Sequence, residues 1–205
     1  MVDTRTIGCP DVLSSPSGDL GEPEYESPQW DDIRFPFTGQ QIDTSAGRID
    51  YNYTELGVDF QDNARYPEEV IGMICQLSHG IVIGSDIRPH LHWIQNQNAQ
   101  PNWLLEYRIY DNGETPPAVW QIAIPTAHRY PWGGVSILQY TTFPEIDGSS
   151  LTGLSAFIDF KLYRDTGNVS GLFAGADAYQ GDALSKEFDV HILKDTRGSR
   201  MEFIK

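Results

Sequence analysis

The chain has 205 residues, of which 40% are hydrophobic, 12% aromatic and 21% charged, and its 29 acidic against 14 basic residues give a net charge of −15 at pH 7. This composition is typical of a folded chain, and the charge argues against a nucleic-acid-binding protein, because contacts to phosphate depend on clustered Lys and Arg. No apolar run reaches the ~20 residues of a membrane span, and the N-terminus lacks the basic and apolar segments of a signal peptide. We therefore expect a soluble protein made in a cytoplasm, without a membrane or nucleic-acid partner. Cys9 and Cys75 lack Cys-x-x-Cys spacing and are expected to stay reduced.

The N-terminal stretch differs from the rest of the chain. Residues 1–29 contain four prolines and six acids with little to bury, which predicts an arm that is extended or disordered when alone. Four apolar residues then follow closely and are the predicted partner-binding anchors of this arm: Trp30, Ile33, Phe35 and Phe37. Two interpretations stay open, since the anchors either cover an edge of the chain's own core or dock on a neighbouring subunit. The predicted division is an arm over residues 1–49 and a β-sandwich domain over residues 50–205.

Past residue 50, short runs of alternating apolar and polar residues are typical of β-strands. Residues 70–77 predict a buried strand, with a short helix after Pro67 as the alternative, and residues 120–124 repeat the alternation. The longest predicted strands cover residues 135–143 and 154–163. Nineteen glycines and thirteen prolines favour many turns. Eight to ten strands without a long helix predict an all-β protein, an antiparallel, jelly-roll-like β-sandwich with an extended N-terminal arm.

Two histidines stand two residues apart in one predicted strand, His90 and His92. Side chains two apart in a strand point to the same face, so the pair is able to share a metal ion. Leu91 and Trp93 take the opposite face and are expected in the core. The spacing Gly84-x5-His90-x-His92 coincides with the opening of the first cupin motif, in which such histidines bind a metal at the mouth of a β-barrel.

The rest of the cupin pattern is missing. Asn96 and Gln97 stand where a cupin has its glutamate, and no Pro-x-Gly-x-x-His pattern follows. A third ligand would be His191, if the last strand neighbours the histidine strand, or Glu106. The sequence therefore favours His90 and His92 as ordinary sheet residues, and it predicts no metal, no cofactor and no catalytic residue.

The sequence evidence for other kinds of active site is weaker. Glycoside hydrolysis needs two carboxylates at a set separation, and nothing in the spacing selects a pair among the four candidates, Asp86, Glu106, Asp159 and Asp189. No Gly-x-Ser-x-Gly elbow is present for a serine nucleophile. The aromatic loop at residues 130–134, with Trp103 and Trp120, has two interpretations. These residues either bind a partner, by stacking on sugars or contacting a host surface, or plug the end of the sandwich.

Short phrases of the sequence carry a family resemblance. Pro89-His-Leu-His-Trp93 followed by Trp103-Leu-Leu-Glu-Tyr107 resembles a recurrent group of tailed-phage virion proteins, and the segment from Phe188 to Lys205 has the same character. The resemblance covers roughly residues 58–205 and leaves the arm uncovered. It implies a non-enzymatic virion protein that decorates or cements the capsid, with the major capsid protein or other virion proteins as partners. A neck, tail or receptor-binding component is the alternative within this class, and a cupin-like metal-dependent enzyme using His90 and His92 is the alternative outside it.

The residues themselves add an expected mode of assembly. A strongly acidic chain rich in aromatic residues is expected to self-associate as a homo-oligomer, a trimer first and a dimer second. Fifteen of the acids lie in residues 1–69, whereas the last dozen residues have a net charge of +2. The acidic arm is predicted to bind a basic groove, either on a capsid lattice or near Arg197 and Arg200 in the basic tail of a neighbouring copy, and two solvated ends are the alternative.

Overall fold

The computed structural model describes residues 28–37, 49–63, 66–125, 127–128, 131–153 and 155–195. Most of the predicted arm, together with Arg197 and Arg200, lies outside these ranges. Within them the chain is all-β, with eleven strands: β1 Gln29–Pro36, β2 Ile49–Asn52, β3 Gly57–Phe60, β4 Ile71–Gln76, β5 Arg88–Gln95, β6 Trp103–Tyr110, β7 Gln121–Ala123, β8 Ala127–His128, β9 Ile137–Thr142, β10 Phe157–Arg164 and β11 Ala183–Lys194. Among the described residues there is no helix with the length and apolar character that crossing a membrane requires.

The strands form two antiparallel sheets. The larger has seven strands in the order β2-β3-β11-β5-β9-β8, with β1 also paired to β11, and the smaller has four in the order β4-β10-β6-β7. β11 is long enough to hold β3 and then β1 along one edge, while β5 pairs with its other edge. The predicted antiparallel β-sandwich is confirmed.

A layer of aromatic residues fills the space between the sheets. Trp93 and Phe188 come from the larger sheet, and Trp103 and Phe160 from the smaller, and each is at most 1% exposed. The ring centroids of Phe160 and Phe188 lie 5.0 Å apart, and those of Trp93 and Trp103 lie 6.1 Å apart. Burying a side chain of this size contributes about 1.5–3 kcal/mol. This aromatic layer therefore fixes β5 and β11, the strands that carry the histidines.

The alternation of apolar and polar residues predicted most core-facing sides of the strands correctly. Two strands, β4 and β7, differ because each exposes a large apolar side chain. β4 is a strand, as expected, but Ile74 is 67% exposed because only every second side chain points inward from this edge strand. In β7 the core-facing residue is Ala123, whereas Ile122 is 47% exposed on the outer face. Apolar residues on the outside of an edge are available for contacts with other molecules.

β1 belongs to the larger sheet. It pairs with β11 along its whole length, from Gln29 opposite Lys194 to Pro36 opposite Glu187. Its inward residues Ile33 and Phe35 are half-buried, and Phe37 directly after it is fully buried. Three of the four anchor residues assigned to the arm, Ile33, Phe35 and Phe37, thus pack in or against the core of the same chain.

The thiol of Cys75 lies in this core, where it is free and 1% exposed. Burial raises its pKa to about 12, because the low-dielectric interior disfavours the thiolate. In a Cys9→Ser variant, which leaves a single thiol, we expect no reaction with iodoacetamide at mildly alkaline pH until denaturant is added. Peptide mapping by mass spectrometry measures the labelling, and rapid labelling of the native variant would contradict the buried position.

Candidate metal centre

A polar cluster lies on the outer face of the larger sheet, where β1, β11, β5 and β9 run side by side. His90 is opposite Asp189 of β11, and His92 is opposite Glu187 of β11 and Tyr140 of β9. The sequence builds this face by strand alternation, since Leu91 and Trp93 point into the core and the two histidines must point away from it.

A β-bulge aligns β11 with the histidines. The register between β5 and β11 shifts between Ser185 and Glu187, so one residue of β11 is left without a partner. Ser185 faces the core, and without the bulge Glu187 and Asp189 would face it as well, because side chains two apart share a face. Because the bulge adds one residue, the residues after it switch faces, and both carboxylates point towards His90 and His92.

Three ligand-type atoms converge within this cluster. The Nε2 atoms of His90 and His92 lie 3.1 Å apart, and the Oδ2 atom of Asp189 lies 3.4 Å from the first and 3.2 Å from the second. The side chains of His90 and Asp189 are 6% and 4% exposed, whereas that of His92 is 26% exposed. The three residues form the His-His-Asp triad, a group of the type that holds a metal ion in proteins.

The carboxyl group of Asp189 is ionised in this setting. Burial alone would raise its pKa, but the hydrogen bonds of Asp189 with His90 and His92, and the positive charge that an imidazole carries when protonated, outweigh burial and hold the pKa below its ordinary value. Burial and the negative charge of Asp189 in turn raise the pKa of the neighbouring Glu187. The face therefore places an ionised carboxylate, with a second carboxyl group next to it, beside two imidazole rings.

A third histidine borders the triad without joining it. The ring of His191 lies 4.4 Å from that of His90, but its Nε2 atom pairs with Asp32 Oδ1 of β1 at 2.9 Å. Burial, followed by the positive charge of His90, lowers the pKa of His191. Tyr140 closes the opposite side, with its ring 5.5 Å and 5.8 Å from the rings of His90 and His92.

Sequence reasoning named both histidines and considered His191 or Glu106 as a third ligand, whereas the structure places Asp189 beside them. Its condition that the last strand neighbours the histidine strand is fulfilled by β11, yet Asp189 takes the place considered for His191 or Glu106. Glu106 lies in the smaller sheet and accepts hydrogen bonds from Tyr66 and Tyr163. The available signal was Asp189 itself, on the polar face of a strand whose alternate residues are apolar.

The histidines also differ from the cupin arrangement. Cupin histidines bind a metal at the mouth of a barrel, whereas His90 and His92 lie on the face of the sheet that points away from the packed interior. Of the aromatic residues considered for sugar stacking, Trp103 is fully buried in the core. Trp120 is covered by Lys161, whose Nζ lies 4.0 Å from the ring centroid. These contacts do not provide an open aromatic platform.

The predicted partner-binding residues are only in part at the surface. Trp30 is 44% exposed, with the guanidinium of Arg88 4.1 Å from its ring centroid. Phe35 packs on Phe188 with centroids 6.2 Å apart, and Phe37 is fully buried. Of the described anchors, Trp30 therefore offers the most surface to a partner.

No protein-family model, no curated protein and no solved structure matches this chain. The site therefore has to be interpreted from its own geometry.

Proposed function

We propose that the chain is a non-enzymatic structural protein of a tailed-phage virion, which decorates or cements the capsid through its N-terminal arm and an oligomeric β-sandwich. The phage-like phrases of the sequence support the setting. The position of β1 is the observation that carries the mode of attachment.

β1 joins the arm to an open sheet edge. Within the described residues it pairs with β11 on one side and with no strand on the other. The free side of an edge strand presents unpaired N–H and C=O groups, which accept a strand from another chain. Trp30 lies on this strand and is 44% exposed, and tryptophan is enriched at protein interfaces. An arm that continues from such an edge is suited to bind a neighbouring subunit.

Exposed apolar side chains support self-association. Ile74 on β4 and Ile122 on β7 are 67% and 47% exposed, at the two opposite edges of the smaller sheet. Closed oligomers bury such residues at subunit interfaces. The smaller sheet thus offers contacts separate from those of β1.

The candidate catalytic carboxylates of the smaller sheet are engaged by neighbouring side chains, which supports a non-enzymatic role. Asp159 pairs with Arg108 at 2.7 Å and accepts a hydrogen bond from Tyr110. Glu106 accepts hydrogen bonds from Tyr66 at 2.7 Å and from Tyr163 at 2.9 Å. A glycosidase needs one carboxyl group free to donate a proton and another free to act on the substrate.

In gradient-purified particles of the phage that encodes the chain, we expect its peptides at a constant ratio to the major capsid protein, and immunogold labelling on the head. Light scattering of the purified protein should give the mass of a homo-oligomer. A trimer is the first expectation and a dimer the second. A non-structural enzyme from the same lysate serves as control and should stay at the top of the gradient. Sedimentation of the chain with that enzyme would refute virion membership, and a monomer in solution would refute self-association. Gold particles at the tail or neck would support the alternative location.

A further inference from the structure

We infer that His90, His92 and Asp189 form a binding site for one divalent first-row transition-metal ion, of which zinc is the simplest occupant. The inference goes beyond the proposed function and does not depend on it, since structural and catalytic proteins both bind such ions. A metal measurement and a particle analysis therefore fail independently of each other.

The distances of the triad fit a single ion. Bonds from these metals to imidazole nitrogen and carboxylate oxygen are about 2.0–2.2 Å long, which places neighbouring ligand atoms about 3.0 Å apart in octahedral and about 3.4 Å apart in tetrahedral geometry. The three atoms of the triad are 3.1, 3.2 and 3.4 Å apart. One ion above this triangle would contact all three atoms at normal bond lengths.

Hydrogen bonds alone explain the close approach of these three ligand atoms less well than a bound ion does. If both rings donate Nε2–H to Asp189 Oδ2, two donors face each other at 3.1 Å. If only one ring carries a proton there, the lone pair of the other nitrogen faces the carboxylate oxygen at 3.2 or 3.4 Å. A cation accepts lone pairs from all three atoms and removes both conflicts.

The second carboxylate oxygen of Asp189 is independent evidence for a bound ion. Its Oδ1 atom is buried and has no hydrogen-bond partner among the described residues, on a side chain that is 4% exposed. A buried carboxylate oxygen without a donor is costly, and native proteins rarely leave one. Bidentate coordination, or a water molecule on the ion, would give Oδ1 a partner.

The ligand set selects the class of ion. Two imidazoles with one carboxylate suit zinc, cobalt, nickel, copper and ferrous iron, whereas calcium and magnesium take oxygen ligands. The side chain of His92 is 26% exposed, which leaves an approach from solvent and coordination positions for water. Because Asp189 lies on β11 and the histidines on β5, the ion would join two central strands of the larger sheet.

Titration of the untagged full-length protein, first stripped with a chelator, tests the site with Zn²⁺ and separately with Co²⁺. We expect about one equivalent per chain, tetrahedral or five-coordinate absorption bands with cobalt, and a higher melting temperature with zinc. His92→Ala and Asp189→Asn should each weaken binding by more than about 100-fold, since changes to residues that only support metal ligands already cost 10- to 100-fold.

His191→Ala is the matched control, because it removes an imidazole from the same face whose Nε2 binds Asp32 instead of the triad. It should keep the stoichiometry of the unchanged protein. Circular dichroism and a cooperative melting curve establish that each variant is folded. His92 is partly exposed and its loss opens no core cavity, so His92→Ala alone decides the result if Asp189→Asn unfolds. Substoichiometric binding of both ions, unchanged affinity in His92→Ala, or equal loss in His191→Ala would overturn the inference.

Discussion

Replacing Arg164 by methionine is expected to lower the free energy of unfolding by about 3–5 kcal/mol, because it leaves a buried charge without its partner. The Arg164 side chain is fully buried, and its Nε donates to Asp177 Oδ2 at 2.8 Å. Its two terminal nitrogens donate to three backbone carbonyls, those of Phe60, Tyr179 and Gly181, at 2.7–2.8 Å. Methionine fills similar volume but satisfies none of these acceptors.

Urea unfolding followed by tryptophan fluorescence measures this loss. Arg88→Met is the matched control, because Arg88 pairs with Glu145 at 2.7 Å while both side chains are about half exposed, at 46% and 50%. Exposed ion pairs contribute about 0–1 kcal/mol, and the exposed contact of the Arg88 guanidinium with the Trp30 ring adds about 0.5–1 kcal/mol, so this variant should lose at most about 2 kcal/mol. Equal effects of the two substitutions would mean that Arg164 is not the buried centre of its network.

Deleting residues 1–37 is expected to destabilise the sandwich strongly, whereas deleting residues 1–27 is expected to leave its melting temperature nearly unchanged. The longer deletion removes β1 with its full ladder to β11, and it removes Phe37, which is 0% exposed. Loss of a buried phenylalanine side chain alone costs about 3–5 kcal/mol. The shorter deletion leaves every contact among the described residues in place.

Thermal unfolding and hydrogen exchange of β11 amides measure the difference between the two truncations. Faster exchange along residues 187–194 is expected only in the longer deletion, since those residues pair with β1. If both truncations melt at the temperature of the full-length protein, β1 contributes nothing to the core and the boundary of the arm lies beyond Phe37. If the shorter one is as unstable as the longer one, the first 27 residues belong to the folded domain.

The faces of the strands were predictable from the sequence because each strand carries its own alternation. Leu91 and Trp93 in β5, and Ile158 and Phe160 in β10, are buried where the alternation predicts. A half-buried antiparallel sheet imposes this period of two on neighbouring residues, so a single short window suffices to detect it.

Strand partners and buried polar groups were not predictable in the same way. His92 and Asp189 are 97 residues apart in sequence, and their approach depends on the pairing of β5 with β11 and on the bulge near Ser185. Arg164 is fully buried although arginine is usually exposed, so its type gave no signal of its position. Such features arise from contacts between distant strands, which local patterns do not encode.

The central place of β11 has a consequence for the order of folding. β11 pairs with three strands, β1, β3 and β5, and within the described residues it is the only partner of β1. The contacts between β1 and β11 join residues more than 150 positions apart. Closing such long loops costs chain entropy before native contacts compensate, and β-sandwiches rich in distant pairings fold in roughly milliseconds to seconds. Strands that lie closer in the chain, such as β2 and β3 in the larger sheet and β6 and β7 in the smaller, close much shorter loops. Docking of β11 is therefore the step that joins β1, the β2–β3 pair and the strands β5, β9 and β8 into one sheet.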